Sequence, residues 1–383
     1  MTSKKLNFNQ VIDALLDDDA PFPFAYLMSL SDILPANLEA LKRSWGLISP
    51  ARKTVLMENV EIIHEAELTS NFEGLAVLAL DDVTAAVRVS GLRLFNEYEN
   101  SHFISRFIDL LENDKDMNVR SQAASTLGKY LYLAEIDMID EKYLQQINEA
   151  LVKVLRSDEN ELVRQKALES LGFSSRMEAK ELIQIAYNSG DYNWIASSLI
   201  AMGRSADEAY ATLVLPMLAH PDARIQREAV FAAGELELTS TKKLLLRLAM
   251  ESKSDDELWT EVIIALSKIG GDGVLEVFDK LLEDATSGEE EDFLNEAIEN
   301  LGLTNDMSLE FDMMDLQDPE DESLIEVNLE DQEFDLDDYG KSWIDELEEN
   351  LKAKIDLFSD EDDDYDDRDE LNDDEDPDED DLY

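Results

Sequence analysis

The chain has 383 residues, 32 of them basic and 90 acidic, for a formal net charge of −58, and it contains no cysteine. Such a charge repels nucleic-acid phosphates and anionic lipid surfaces, which excludes direct binding to either through a basic patch. The missing cysteine removes disulfides, thiolate zinc sites and cysteine nucleophiles together, and no apolar run approaches the roughly 18 residues that span a bilayer.

The first residues, MTSKKLNFNQVIDALLDDD, carry two lysines, but Asp13 interrupts the apolar run before a signal-peptide core can form. A soluble, cytoplasmic protein is expected. Residues 1–70 then offer short helical stretches, FNQVIDALLDD, FAYLMSLSDI, PANLEALKRSWGLI and SPARKTVLMENVEIIHEAEL, several opening on proline or serine. The segment predicts a helical N-terminal capping region, because an array needs a terminal unit with a polar outer face. Within it DAPFPFAYLMSL is unusually apolar, and a hydrophobic docking site is the alternative there.

From residue 71 one outline returns. DDVTAAVRVSGLRLFNE, DKDMNVRSQAASTLGKY and DENELVRQKALESLGFS share Asp, Val-Arg, a small residue and Leu near their ends, with Leu-Gly in the latter two. Gly128, Gly172, Gly203, Gly234, Gly270 and Gly302 continue the register, and Asn96 holds the slot in the first copy. A spacing mostly in the low thirties marks a repeat array. The one long interval holds YLYLAEIDMIDEKYLQQINEALVKVL, an extended helix and a loop. Val119, Ala123 and Leu127 fall four apart, as do Val163, Ala167 and Leu171, so each copy ends in an amphipathic helix. Another amphipathic stretch, such as HFISRFIDLLEN, precedes each, and the unit is a helical hairpin. Asp114, Asp158 and Asp255 stand where a side chain would cap the second helix, and the glycine where a left-handed residue would stop it.

The outline Asp, Val-Arg, Ala, Leu-Gly resembles the HEAT repeat, including the short subtype found in phycobilin lyases. The match is close in the copies ending at Gly128 and Gly172. It is degraded where Trp194-Ile195 or Ile225-Gln226 replaces Val-Arg, giving about seven units over residues 71–302. The resemblance implies an all-α fold: an α-solenoid, a right-handed superhelix with the second helices on its concave side.

Arg88, Arg120 and Arg164 could be a row of anion-binding groups, or each could reach Asp82, Asp114 or Asp158 as a ladder between units. A part repeated with every unit favours stacking, since an arginine fork holds a carboxylate by paired hydrogen bonds. Among the degraded copies, Trp194, Arg204, Arg227 and Trp259 add aromatic and arginine side chains, so the units from Tyr192 to Ile269 form the candidate docking surface. The competing reading places both tryptophans in the core. Chemistry is sparse otherwise. His64, His102 and His220 have no helical partner three or four residues away, no nucleotide, hydrolase or zinc-protease motif occurs, and KIGGDGVLE reads as a turn. No cofactor, metal or catalytic residue is expected.

Residues 303–383 hold 4 basic and 37 acidic side chains. Residues 303–339 predict an acidic disordered linker and 359–383 a disordered acidic tail. Between them Trp343, Leu347, Leu351, Ile355 and Phe358 make an apolar stripe, predicting an amphipathic helix over 340–358 that caps the array or docks a partner. Three functions follow. The leading one is a non-enzymatic scaffold for a protein or peptide partner, with the acidic tail available for contact with the chain's own groove. An acidic chaperone or decoy for a basic protein is the second. The third, a bilin-lyase-type chromophore-attachment factor, rests only on the repeat.

Overall fold

The computed structural model describes residues 7–66, 69–158, 160–253 and 256–315. Every regular element among them is helical. In chain order these are α1 (Phe8–Leu16), α2 (Phe24–Leu27), α3 (Pro35–Trp45), α4 (Pro50–Ala66), α5 (Glu73–Ala79), α6 (Ala85–Leu94), α7 (Ile104–Asn113), α8 (Met117–Glu135) and α9 (Lys142–Ser157). There follow α10 (Glu161–Leu171), α11 (Met177–Tyr187), α12 (Tyr192–Arg204), α13 (Ala211–Val214), α14 (Ala223–Glu235), α15 (Lys242–Glu251), α16 (Asp256–Ile269), α17 (Val274–Glu283) and α18 (Gly288–Asp315).

Each even-numbered helix from α4 packs on the next even-numbered one, α4 on α6 through α16 on α18. Odd-numbered helices pack on their own hairpin partners, and α7 on α9 and α15 on α17. The result is a two-layer α-solenoid, with one layer of first helices and one of second helices. Neither layer could bury its apolar stripe alone. Val119, Ala123, Leu127, Val163, Ala167 and Leu171 are fully buried between the layers. The core continues as two clusters that meet between α9 and α11, where Leu155 and Leu182 pack against both.

The repeat glycines have a different role from the one their sequence position suggests. Gly128, Gly203 and Gly234 lie inside helices, and Gly172 has a right-handed φ of −52°. What they provide is close approach between successive second helices. A Cβ on Gly128 would lie 2.9 Å from the Ser170 Cβ, and one on Gly234 2.7 Å from the Ala265 Cα. Ser170, Ala201, Ala232 and Ala265 face Gly128, Gly172, Gly203 and Gly234 in turn. The first three stand two residues before the next glycine of the series, and Ala265 stands two before Ser267. Ser267, not Gly270, therefore holds the sixth slot. Gly270 is the left-handed residue after α16, with φ +63°. Gly302 stops nothing, since α18 runs on to Asp315. The helix thus passes the boundary at residue 303 and takes up the start of the expected linker.

The caps also shift. Asp116 and Asn160, rather than Asp114 and Asp158, cap α8 and α10, accepting the Asn118 and Val163 N–H groups. Asp114 and Asp158 are extended residues that end α7 and α9. Asp255 lies outside the described residues, as do Trp343, Leu347, Leu351, Phe358 and residues 316–383 in full. In the N-terminal region α4 stacks on α6 as a further second helix, so the cap itself contains a unit of the array. Phe24 is 70% exposed there, while Leu27 and Leu30 are buried. No described helix is long and apolar enough to cross a membrane.

Candidate functional site

Arginines and aspartates of the repeat meet between units. Arg88 donates from Nε and Nη2 to the two carboxylate oxygens of Asp114, at 2.8 and 2.7 Å, and from Nη1 to the Asp82 carbonyl. Arg120 repeats this one unit on, holding Asp158 at 2.8 and 3.2 Å and the Asp114 carbonyl at 3.0 Å. Each aspartate stands two residues before the cap of the following helix and also accepts that residue's N–H: Asp114 from Asp116, Asp158 from Asn160 and Asp82 from Thr84. One carboxylate therefore ties the preceding unit's cation to its own unit's turn. The rung before Arg88 uses a lysine. Lys53 of α4 ion-pairs with Asp82, which also accepts the Trp45 Nε1–H at 2.8 Å, and all three side chains are buried. Lys53 lies outside the Val-Arg motif, and nothing in its sequence setting marks it as a partner of Asp82.

These pairings set a pH dependence. Burial raises the pKa of Asp82, but Lys53 and the Thr84 N–H lower it by more, and the net shift is downward. At Asp158 burial again raises the pKa, and Arg120, the Asn160 N–H and the field of Arg164 outweigh it. A carboxylate with a depressed folded pKa stabilises the fold above its unfolded pKa, and that stability is lost as pH falls through the folded value. Melting temperature is therefore expected to hold near neutrality and drop below about pH 4, the ordinary aspartate range. Asp158→Asn should flatten that drop; an unchanged acid limb would show that the rungs carry none of it.

Past Arg120 the ladder ends. The Arg164 side chain makes no hydrogen bond or ion pair among the described residues, its Nε is buried without a partner, and its guanidinium lies 5.5 Å from the centre of the Trp194 ring.

The exposed side of the second-helix layer holds the remaining candidates. Arg227 is no free positive spot, since it pairs with Glu228 and Glu257. Trp259 is core: it is 7% exposed, donates Nε1–H to the Ala249 carbonyl and lies 5.8 Å from the Phe293 ring. Trp194 is half-buried under Arg164. Arg204 differs from all of these. Its side chain has no hydrogen bond or ion pair among the described residues, and its guanidinium lies 5.4 Å from the Phe173 ring centre. Burial pushes its pKa down, against the fields of Glu169, Glu235 and Glu228. Phe173 in turn lies 5.5 Å from Tyr132, which is 45% exposed. Tyr132, Phe173 and Arg204 thus form an aromatic–aromatic–cation row across the C-terminal ends of α8, α10 and α12. The sequence reading missed Tyr132 and Phe173, which flank the repeat glycines and carry no motif of their own.

Nearby, Glu261 has its pKa raised, first by burial and then by Glu228 and Glu235. Among the described residues no cluster of three or more histidine, aspartate or glutamate side chains could hold a metal ion. His64 is buried against Ser70, and the His220 ring nitrogen accepts the Asp222 N–H.

With an all-helical, two-layer array and its repeating contacts defined, the class is an α-solenoid. The units over residues 211–302 are HEAT repeats, matched there by a HEAT-repeat family model; the motif is most degraded in this stretch, and Gly234 still packs against Ala265. No curated protein matches the chain in sequence. Among solved structures, the complex of CpcE and CpcF of phycocyanin lyase from Nostoc sp. is 20% identical, covering 60% of this chain and 94% of that one, with a TM-score of 0.41. YibA of Escherichia coli is 18% identical over 60% of this chain and 91% of its own, with a TM-score of 0.35. Human deoxyhypusine hydroxylase in complex with glycerol is 13% identical over 77% and 96%, with a TM-score of 0.32. At these scores the likenesses assign no activity to this chain.

Proposed function

We propose that the protein is a non-enzymatic HEAT-repeat scaffold that binds a protein or peptide partner on its second-helix layer. The observation that carries this reading is the Tyr132–Phe173–Arg204 row. It combines exposed aromatic surface with a cation whose side chain makes no hydrogen bond or ion pair among the described residues. Aromatic and arginine side chains supply a disproportionate share of interface energy, and a guanidinium stacked on a ring keeps its edge donors free for a partner. The strongly negative charge of residues 303–383 supports a second reading, an acidic decoy for a basic protein.

The two separate by experiment. Affinity capture with the full chain, a chain lacking residues 359–383 and a Phe173→Ala/Arg204→Glu variant, followed by mass spectrometry, compares their partners. A scaffold loses the same partners in the double variant and keeps them without the tail. Capture lost only on tail deletion, and weakened by salt, would replace the scaffold with the decoy.

A further inference from the structure

The Lys53–Asp82, Arg88–Asp114 and Arg120–Asp158 rungs share one construction. The acceptor stands two residues before the cap of the next second helix and accepts the cap residue's N–H. In the next unit the cap of α12 is Asp191, so the acceptor position is Ser189. Its Oγ accepts the Asp191 N–H at 3.1 Å, as Asp114 accepts that of Asp116 at 2.9 Å. Serine preserves the turn but brings no negative charge. Arg164 stands in the cation position of the series, and the acceptor position that follows it carries no carboxylate.

Three observations make this slot more than a lapsed rung. The Arg164 Nε is buried and unpartnered, and a buried unpaired donor costs stability that a ligand acceptor would restore. Ser189 is exposed, so the slot is open to solvent at the loop edge of the array. Trp194 holds one face of the guanidinium, while Tyr192 and Ile185 stand 52% and 67% exposed nearby in sequence. The charge of Asp158 is already committed to Arg120 and the Asn160 N–H, and it acts on Arg164 only through space.

We propose that Arg164, with Ser189 and Trp194, forms a binding slot for an aspartate or glutamate side chain of an acidic peptide, whose carboxylate completes the ladder's vacant rung. An arginine fork against a carboxylate matches this chemistry, and the protein's own Arg88–Asp114 pair shows the bound geometry. The slot lies at the opposite end of α10 from Phe173, so it can fail without affecting the scaffold reading, and the reverse.

The test uses the full chain labelled with ¹⁵N-arginine and a capped peptide of alternating aspartate and leucine. The Arg164 Nε–Hε resonance should move toward those of Arg88 and Arg120 as peptide is added. Ser189→Asp should place it there without peptide, raise the melting temperature and weaken peptide binding by about tenfold, the ratio equivalent to 1.4 kcal/mol. Arg164→Gln should abolish binding, whereas Arg88→Gln, which also loses stability, should leave it intact. A resonance already at the paired position in dilute wild-type protein would support the slot with a carboxylate of this chain as its source. Peptide binding unchanged in Ser189→Asp and Arg164→Gln would overturn the proposal. So would a Ser189→Asp chain with an unmoved resonance, or a response to inorganic phosphate but not to the peptide.

Discussion

Asp82→Ala is expected to lower the free energy of unfolding by about 3–5 kcal/mol, the range for removing one partner of a buried ion pair. Lys53 would remain buried opposite nothing, with the Trp45 indole N–H and the Thr84 N–H unpaired beside it. Urea unfolding followed by circular dichroism reads the loss. The Lys53→Met/Asp82→Leu double variant should recover part of it, because removing both charges ends the desolvation cost of each. It should not recover all, since Asp82 also serves Trp45 and Thr84. A loss under about 1 kcal/mol for Asp82→Ala would mean that water reaches the pair and that the rung is a surface contact.

Gly172→Ala is the second large effect, and its sign decides between two roles for the repeat glycine. Alanine exceeds glycine in helix propensity by about 1 kcal/mol, so a position governed by local preference would gain stability. At Gly172 an added Cβ would lie 2.5 Å from the Ala201 carbonyl oxygen and 2.7 Å from its Cα. Those are backbone atoms of the neighbouring second helix and cannot swing aside. Overpacking at such a contact costs about 1–3 kcal/mol, and parting of α10 and α12 puts this case at the upper end. Gly302→Ala is the control, with nothing within 4 Å of its added Cβ, and should be neutral or stabilising. A stabilised Gly172→Ala chain would show that helix spacing is not set by these glycines.

Much of this architecture was legible because helical periodicity is local. The Val119–Ala123–Leu127 pattern marks a buried face without any knowledge of its neighbour. Seven hairpins between residues 71 and 302 follow from such patterns and the spacing of the glycines. Contacts between units were harder to read, because they depend on register. Gly128 and Gly172 looked like helix stops, since a glycine in a last turn serves equally well for termination or close approach. Trp194 and Trp259 occupy similar sequence settings, yet one ends under an arginine and the other in the core. Lys53 and Ser189 escaped notice for the same reason. A cation or a hydroxyl outside the motif becomes meaningful only when the second helices are laid side by side.

Uneven mortar between units makes the array a chain of unequal couplings. Buried ion pairs join its units up to α10, whereas beyond that point glycine contacts and apolar packing join them alongside more exposed pairs such as Lys180–Asp207 and Lys268–Glu235. In a linear array stability is a sum of unit and nearest-neighbour terms, so disorder spreads from wherever the coupling is weakest under the prevailing conditions. Acid weakens the carboxylate couplings and leaves the close-packed ones alone. The solenoid therefore has a direction that its repeats alone would not give it: protons remove buried couplings from its N-terminal half and more exposed ones, such as Lys180–Asp207 and Lys253–Glu290, from the units beyond α10.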